Sequence, residues 1–313
     1  MLKRFVVLVL VVAGVVLVLP ARAFAHSGDP CGPYTLHRAW NWDPLILGGM
    51  FVAGVLYARG TQVQWRRGWV HPWRIFAFTA GLMALFLALI SPIHGVSESL
   101  FAGHMIQHML LIVVAAPLLV YSMPIGPMLL ALPPATRLKL GRGWARAGTF
   151  RKVWRVMTVP VIAWFLHVAV LWAWHAPVFY EAAVRDEAMH ALEHASFFIT
   201  ALLFWWSAVR GQGNMSLGHG VIRLFTMAMV TGLLGALLTF SSVAWYAPSI
   251  HAPALWGLTP IEDQQLAGLI MWIPAGMVYM GVALGLFAAW LSKSERDADV
   301  RDGKWQGAGR AAK

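Results

Sequence analysis

Residues 100–121 read LFAGHMIQHMLLIVVAAPLLVY. The stretch contains no Asp, Glu, Lys or Arg. At about 1.5 Å of rise per residue it is long enough, as a helix, to cross the roughly 30 Å hydrocarbon core of a bilayer. It nevertheless carries His104, Gln107 and His108, spaced so that they share one helix face. An ionisable side chain in such a helix is costly and marks a functional site. The fold class and the site therefore emerge from the same segment.

Outward from it, six more apolar stretches of near-spanning length fall at 44–58, 73–91, 154–174, 187–209, 221–242 and 264–291. With 59% hydrophobic residues, 12% charged residues and 17 tryptophans, the composition does not suit a soluble globular domain. No soluble domain fits between the apolar stretches. Lys3 and Arg4 precede an apolar run at 5–19, then Pro20 and the small-residue sequence Ala23-Phe24-Ala25. This pattern predicts a cleavable signal peptide over 1–25. The expected organisation is an external segment at 26–43, a transmembrane domain at 44–292 and a basic tail at 293–313. Cys31 is the only cysteine, so no internal disulfide can form.

Positive charge sets the orientation, because short cytoplasmic loops collect Lys and Arg. Arg59, Arg66, Arg67 and Arg74 follow the first helix, and Arg137, Lys139, Arg142, Arg146, Arg151, Lys152 and Arg155 follow the third. Arg210, Arg223 and the basic tail lie on the same side; downstream of the signal only Arg38 and Arg185 lie opposite. The expectation is an all-α polytopic membrane protein of seven transmembrane helices, with its N-terminus outside and its C-terminus inside. Topology thus accounts for the net charge of +11, and no nucleic-acid partner is required.

In this topology His26, His37, His94, His104, His108, His167, His175, His190, His194 and His251 all fall in or near the outer leaflet. From the helical rise, His104 and His108 lie about 6 and 12 Å deep, His190 and His194 about 5 and 10 Å, and His167 about 11 Å. His104–His108 and His190–His194 are both HxxxH pairs, the second with Glu193 beside it. Each can chelate an ion from one helix face.

Imidazole suits zinc, copper, iron and nickel, whereas thioether favours reduced copper; Met105, Met109, Met189 and Met271 lie at similar depth. Methionine also fills apolar cores without any ligand role. His190 to His194 further satisfies the HxxEH pattern of one zinc protease class, with Glu193 as the general base. Paired histidines from different helices could instead ligate one haem iron. Outside the helices, a mature N-terminus at His26, with Cys31 and His37 nearby, could form a metal-capture arm. The segment 241–259 reads as an interfacial cap containing His251. Asp263 and Gln264 open the last helix, where capping and the helix dipole already account for an acid and an amide.

The runs GHMIQHMLLIVVAAPLLV from Gly103, WAWHAPVFYEAAVRDEAMHALEHASFFITALLFWW from Trp172 and DQQLAGLIMWIPAG from Asp263 strongly resemble the CtaG-type cytochrome c oxidase assembly factors of bacterial membranes. The resemblance covers about two thirds of the chain. It implies a seven-helix, non-enzymatic protein of the bacterial cytoplasmic membrane that handles copper at the outer side of the oxidase. Its partners would be cytochrome c oxidase subunits or other copper chaperones. Positions carried over within the matched runs are His104, His108, His175, His190, His194 and Met271 toward a metal, and Glu193, Asp263 and Gln264 in supporting roles. His26, Cys31, His37, His167 and His251 are not secured by it; any metal role for them rests on local chemistry alone.

Overall fold

The computed structural model describes residues 31–66, 68–69, 71–209, 214–246 and 252–311, the last thirteen of these and 214–216 by backbone alone. The expected signal segment, His26 and His251 lie outside the described residues. Within them, every regular element is helical. In chain order the helices are α1 (Pro44–Trp65), α2 (Pro72–Leu89), α3 (Ile93–Ser99), α4 (Phe101–Ser122), α5 (Ile125–Ala131), α6 (Pro134–Arg146), α7 (Gly148–Met157), α8 (Pro160–Trp174), α9 (Pro177–Arg185), α10 (Glu187–Val209), α11 (Asn214–Phe240) and α12 (Pro260–Ala311).

Their starts follow from local chemistry. Asp43 accepts the N–H groups of Leu45 and Ile46 at 2.7 and 3.3 Å, and Pro44 occupies the first turn, where its missing donor costs nothing. The last helix opens on a capping box. The Thr259 N–H donates to Glu262 Oε2 at 2.8 Å, and the Glu262 N–H donates back to Thr259 Oγ1 at 3.3 Å. That reciprocal pair starts the helix several residues before the apolar stretch at 264–291.

Among the described residues, six helices are long and apolar enough to cross a membrane: α1, α2, α4, α10, most of α11, and α12 as far as Ala298. The expected span at 154–174 departs from this pattern. It takes in only the last turn of α7 and all of α8, and the two helices meet at 76°. Pro160 has no N–H, and its ring disfavours helical backbone at the residue before it; Val159 is accordingly extended, at φ −61° and ψ 128°. The break also divides two compositions: α7 carries Arg151, Lys152 and Arg155, whereas α8 has no Asp, Glu, Lys or Arg. A seventh crossing exists only if this bent pair is one span.

The two most enclosed spans are α4 and α10, with 67% and 72% of their most apolar windows buried, against 17–39% for the other four. They form the centre of the protein. Around them, α2 and α12 pack on α4, α8 and α9 pack on α10, and α1 packs on α5. The close pairing of α11 with α12 depends on two glycines: a methyl added at Gly268 would lie 2.6 Å from the Gly235 carbonyl oxygen. Small residues at such crossings let backbones approach within the membrane.

Helix α4 is not uniformly α-helical. Leu110–Ala115 is π-helical, and the Ala116 N–H bonds the Leu111 carbonyl five residues back. The cause lies two residues on from Ala115, where Pro117 removes a donor and its ring would clash with a carbonyl in the α register. In the widened register the Ile112 carbonyl would look to residue 117, which has no N–H. The indole of Trp205, on α10, donates to that carbonyl instead at 2.8 Å. The irregular turn thus becomes a cross-link between the two central helices.

Candidate metal centre

The HxxxH face of α4 meets the HxxEH face of α10 in the core. Among the described residues, His104, His108, Glu193 and His194 are all buried, and each offers a ligand atom within 4.8 Å of the others. Glu193, 0% exposed, addresses both histidines of the neighbouring helix: Oε2 lies 3.3 Å from His104 Nε2, and Oε1 lies 3.7 Å from His108 Nε2. The rings of His104 and His108 are 4.3 Å apart, and those of His108 and His194 are 5.3 Å apart.

Several of these ligand atoms find no hydrogen-bond partner within the protein. They include His104 Nε2, both nitrogens of His108, His194 Nε2 and both carboxylate oxygens of Glu193. A buried polar group without a partner costs about 1–3 kcal/mol, so several converging on one point constitute a demand for a cation or for protons. The donor set of imidazoles and one carboxylate fits a first-row transition metal.

His190 joins the cluster from the side, its ring 4.2 Å from that of His194 and 5.2 Å from that of His104. His94, on α3, stacks on His190 at 6.1 Å. Its side chain is 14% exposed and lies 3.7 Å from Glu98, which is 43% exposed. Imidazoles thus continue from the buried group toward the surface. The approach of α3 depends on Gly103, where an added methyl would lie 2.7 Å from the Val96 carbonyl oxygen. Gln107 faces outward from the cluster, bonding the Ala88 carbonyl at 2.8 Å and lying 3.2 Å from His94 Nδ1.

The remaining expected residues take other places. Asp263 accepts the backbone N–H groups of Phe101 and Ala102 at 2.8 and 2.9 Å, capping the first turn of the helix that carries His104. Gln264 accepts the Trp245 N–H at 2.7 Å and donates to the Val243 carbonyl at 3.2 Å, tying down the segment before α12. His175 ends α8, its ring 6.4 Å from that of His108. Met271 is fully buried in the apolar core. His167 pairs with Thr200 at 2.9 Å and stacks on Phe204. Cys31 is partly buried and His37 exposed at the start of the described residues.

A cluster of three aromatic rings reaches His104 through Tyr180. Tyr180 stands 5.3 Å from His104, Tyr246 4.4 Å from Tyr180, and Phe101 4.9 and 4.7 Å from the two tyrosines. Burial, reinforced by the Glu193 carboxylate, pushes both phenols well above their ordinary range. Tyr246 therefore remains a donor, bonding the His175 carbonyl at 3.0 Å. Tyr180, Tyr246 and His94 were not singled out as site residues by the sequence reading. Tyr180 lies within the run from Trp172 that carries the resemblance. His94 lies between two of the apolar stretches, on the short helix α3.

The profile of the family described as "Cytochrome c oxidase caa3 assembly factor (Caa3_CtaG)" matches residues 55–293. No curated protein and no solved structure matches the chain.

Proposed function

This chain belongs to the cytochrome c oxidase caa3 assembly factor family, and on that premise we propose that it binds copper in the buried cluster and supplies it during assembly of the oxidase. The observation that carries this reading is the convergence of His104, His108, His194 and Glu193, whose facing atoms make no hydrogen bond in the protein. Glu193 contributes one negative charge when ionised, and neutral imidazoles contribute none. A monovalent ion then leaves the site neutral, whereas a divalent ion leaves a net charge in a low-dielectric interior, which is costly. That balance favours reduced copper over zinc.

In this reading His190 and His94 extend the ligand path toward the outer face, and the metal is taken up and released on that side. Asp263 and Gln264 act as positioning residues, the first through the start of α4. The partners are oxidase subunits or other copper chaperones, in a bacterial cytoplasmic membrane. A zinc hydrolase would need Glu193 held apart from the metal as a base, but its oxygens lie among the ligand atoms. A haem would need two histidines separated by a porphyrin, but these rings pack directly against one another.

The test is metal analysis of full-length protein purified without a histidine tag, together with deletion of the gene. We expect bound copper, and an oxidase short of copper that added copper partly restores. Zinc or haem in place of copper, with no rescue by copper, overturns the reading.

A further inference from the structure

We propose that Met105 and His175 form a second, softer position for monovalent copper, distinct from the carboxylate-containing cluster; the inference rests on the copper reading above. His175 Nδ1 lies 2.7 Å from the Leu171 carbonyl oxygen, which can only accept. Nδ1 therefore carries the ring proton. In a neutral imidazole that leaves Nε2 as a bare lone pair. This nitrogen points at Met105 Sδ at 3.4 Å. A thioether sulfur has no proton to give, so two lone-pair donors face each other with no hydrogen between them.

Both side chains are sealed from water, Met105 at 0% and His175 at 4% exposure, so no solvent bond substitutes. Of the aromatic rings around it, His108 stands at 6.4 Å and Phe197 at 6.1 Å, and neither supplies an acid to protonate Nε2. With metal–nitrogen and metal–sulfur bonds of about 2.0 and 2.3 Å, atoms 3.4 Å apart would subtend roughly 100° at a shared ion. That angle is near tetrahedral and leaves room for a further donor. Thioether with imidazole selects reduced copper over zinc, which prefers thiolate, imidazole and carboxylate.

The pair is also placed as a continuation. Met105 sits on α4 between His104 and His108, and the His108 ring stands 5.3 Å from His194 on one side and 6.4 Å from His175 on the other. An ion in the cluster therefore has a soft site one ring away. The His175 end is held independently: its carbonyl accepts from Tyr246, and its Nδ1 is locked to α8.

The experiment loads untagged full-length protein with Cu(I) under anaerobic, reducing conditions and reads copper content and X-ray absorption. Wild type should show sulfur in the copper shell. Met105→Leu, which keeps volume and removes the thioether, should lose that sulfur signal and about half of the copper; Met109→Leu should lose neither. His194→Ala should lose nitrogen-bound copper and keep the sulfur contribution. Absence of sulfur in wild type, or its retention with full copper in Met105→Leu, overturns the second position and leaves the cluster standing. Retention of full copper by His194→Ala, with the sulfur signal still dependent on Met105, overturns the cluster and leaves the pair. Failure of wild type to take up copper overturns both.

Discussion

Asp263 stands 162 residues from Phe101 in sequence, and its Oδ2 accepts the Phe101 backbone N–H at 2.8 Å. Its other oxygen accepts from Ala102 at 2.9 Å, so one carboxylate on α12 satisfies two of the orphan donors at the start of α4. His104 follows one turn later. The positions of α12 and of the histidine cluster are therefore coupled through two bonds from the Asp263 side chain to the backbone of α4.

Replacing Asp263 by Ala leaves two buried N–H groups without partners, at about 1–3 kcal/mol each. We expect a lower melting temperature in detergent and weaker copper retention, although no ligand is removed. Asp263→Asn, which keeps one acceptor oxygen, should fall between the two. Unchanged stability and copper in Asp263→Ala would show that the cap contributes nothing.

Trp205→Phe tests the π-helical turn. It removes the donor to the Ile112 carbonyl and, with it, the bond joining α10 to α4. A loss of about 1–3 kcal/mol is expected from the unpartnered carbonyl. Copper affinity should fall with it, since the two HxxxH faces would lose their shared register. A destabilised variant of unaltered copper affinity would separate the turn from the site.

Ligands of one ion lose function non-additively. Copper content should therefore drop sharply in His108→Ala and in His194→Ala, and the double variant should bind scarcely less cluster copper than either single one. Strictly additive losses would mean that the histidines act separately.

Glu193→Gln retains size and hydrogen bonding but removes the charge that balances a monovalent ion. We expect Cu(I) affinity to weaken by about 10- to 100-fold while oxidase assembly persists in part. Complete loss of function with metal still bound would instead indicate a proton-transfer role for Glu193.

Reporter fusions near Gly68, Arg142, Gly213 and the C-terminus should read cytoplasmic, and those near Val96, Tyr180 and Ser249 external. A cytoplasmic reading near Val96 would place His94 and the path to the cluster on the wrong face.

Apolar length made the helical membrane architecture legible from sequence, and HxxxH spacing made the meeting of two histidine faces legible. Other features depend on bonds that no periodicity encodes. Pro160 and the switch from basic α7 to apolar α8 mark a boundary, but neither encodes the 76° angle at which the two helices meet. Residues 93–99 are too mixed in polarity to announce the short helix that carries His94. Asp263 reads as an ordinary cap of its own helix, and the sequence does not show that its oxygens serve a different helix. The Met105–His175 contact depends on where one ring proton sits, which only the Leu171 carbonyl reveals.

The aromatic packing of Phe101, Tyr180 and Tyr246 beside His104 has a kinetic consequence. If an ion occupies the cluster, these buried rings keep water from the His104 side, so the ion must shed its hydration shell to enter past His94 and His190 and regain it only after leaving. Both barriers slow exchange without altering how tightly the ion is held. Residence time thus becomes a property of the rings, and a partner that displaces Tyr180 or Tyr246 could speed release without competing for a single ligand.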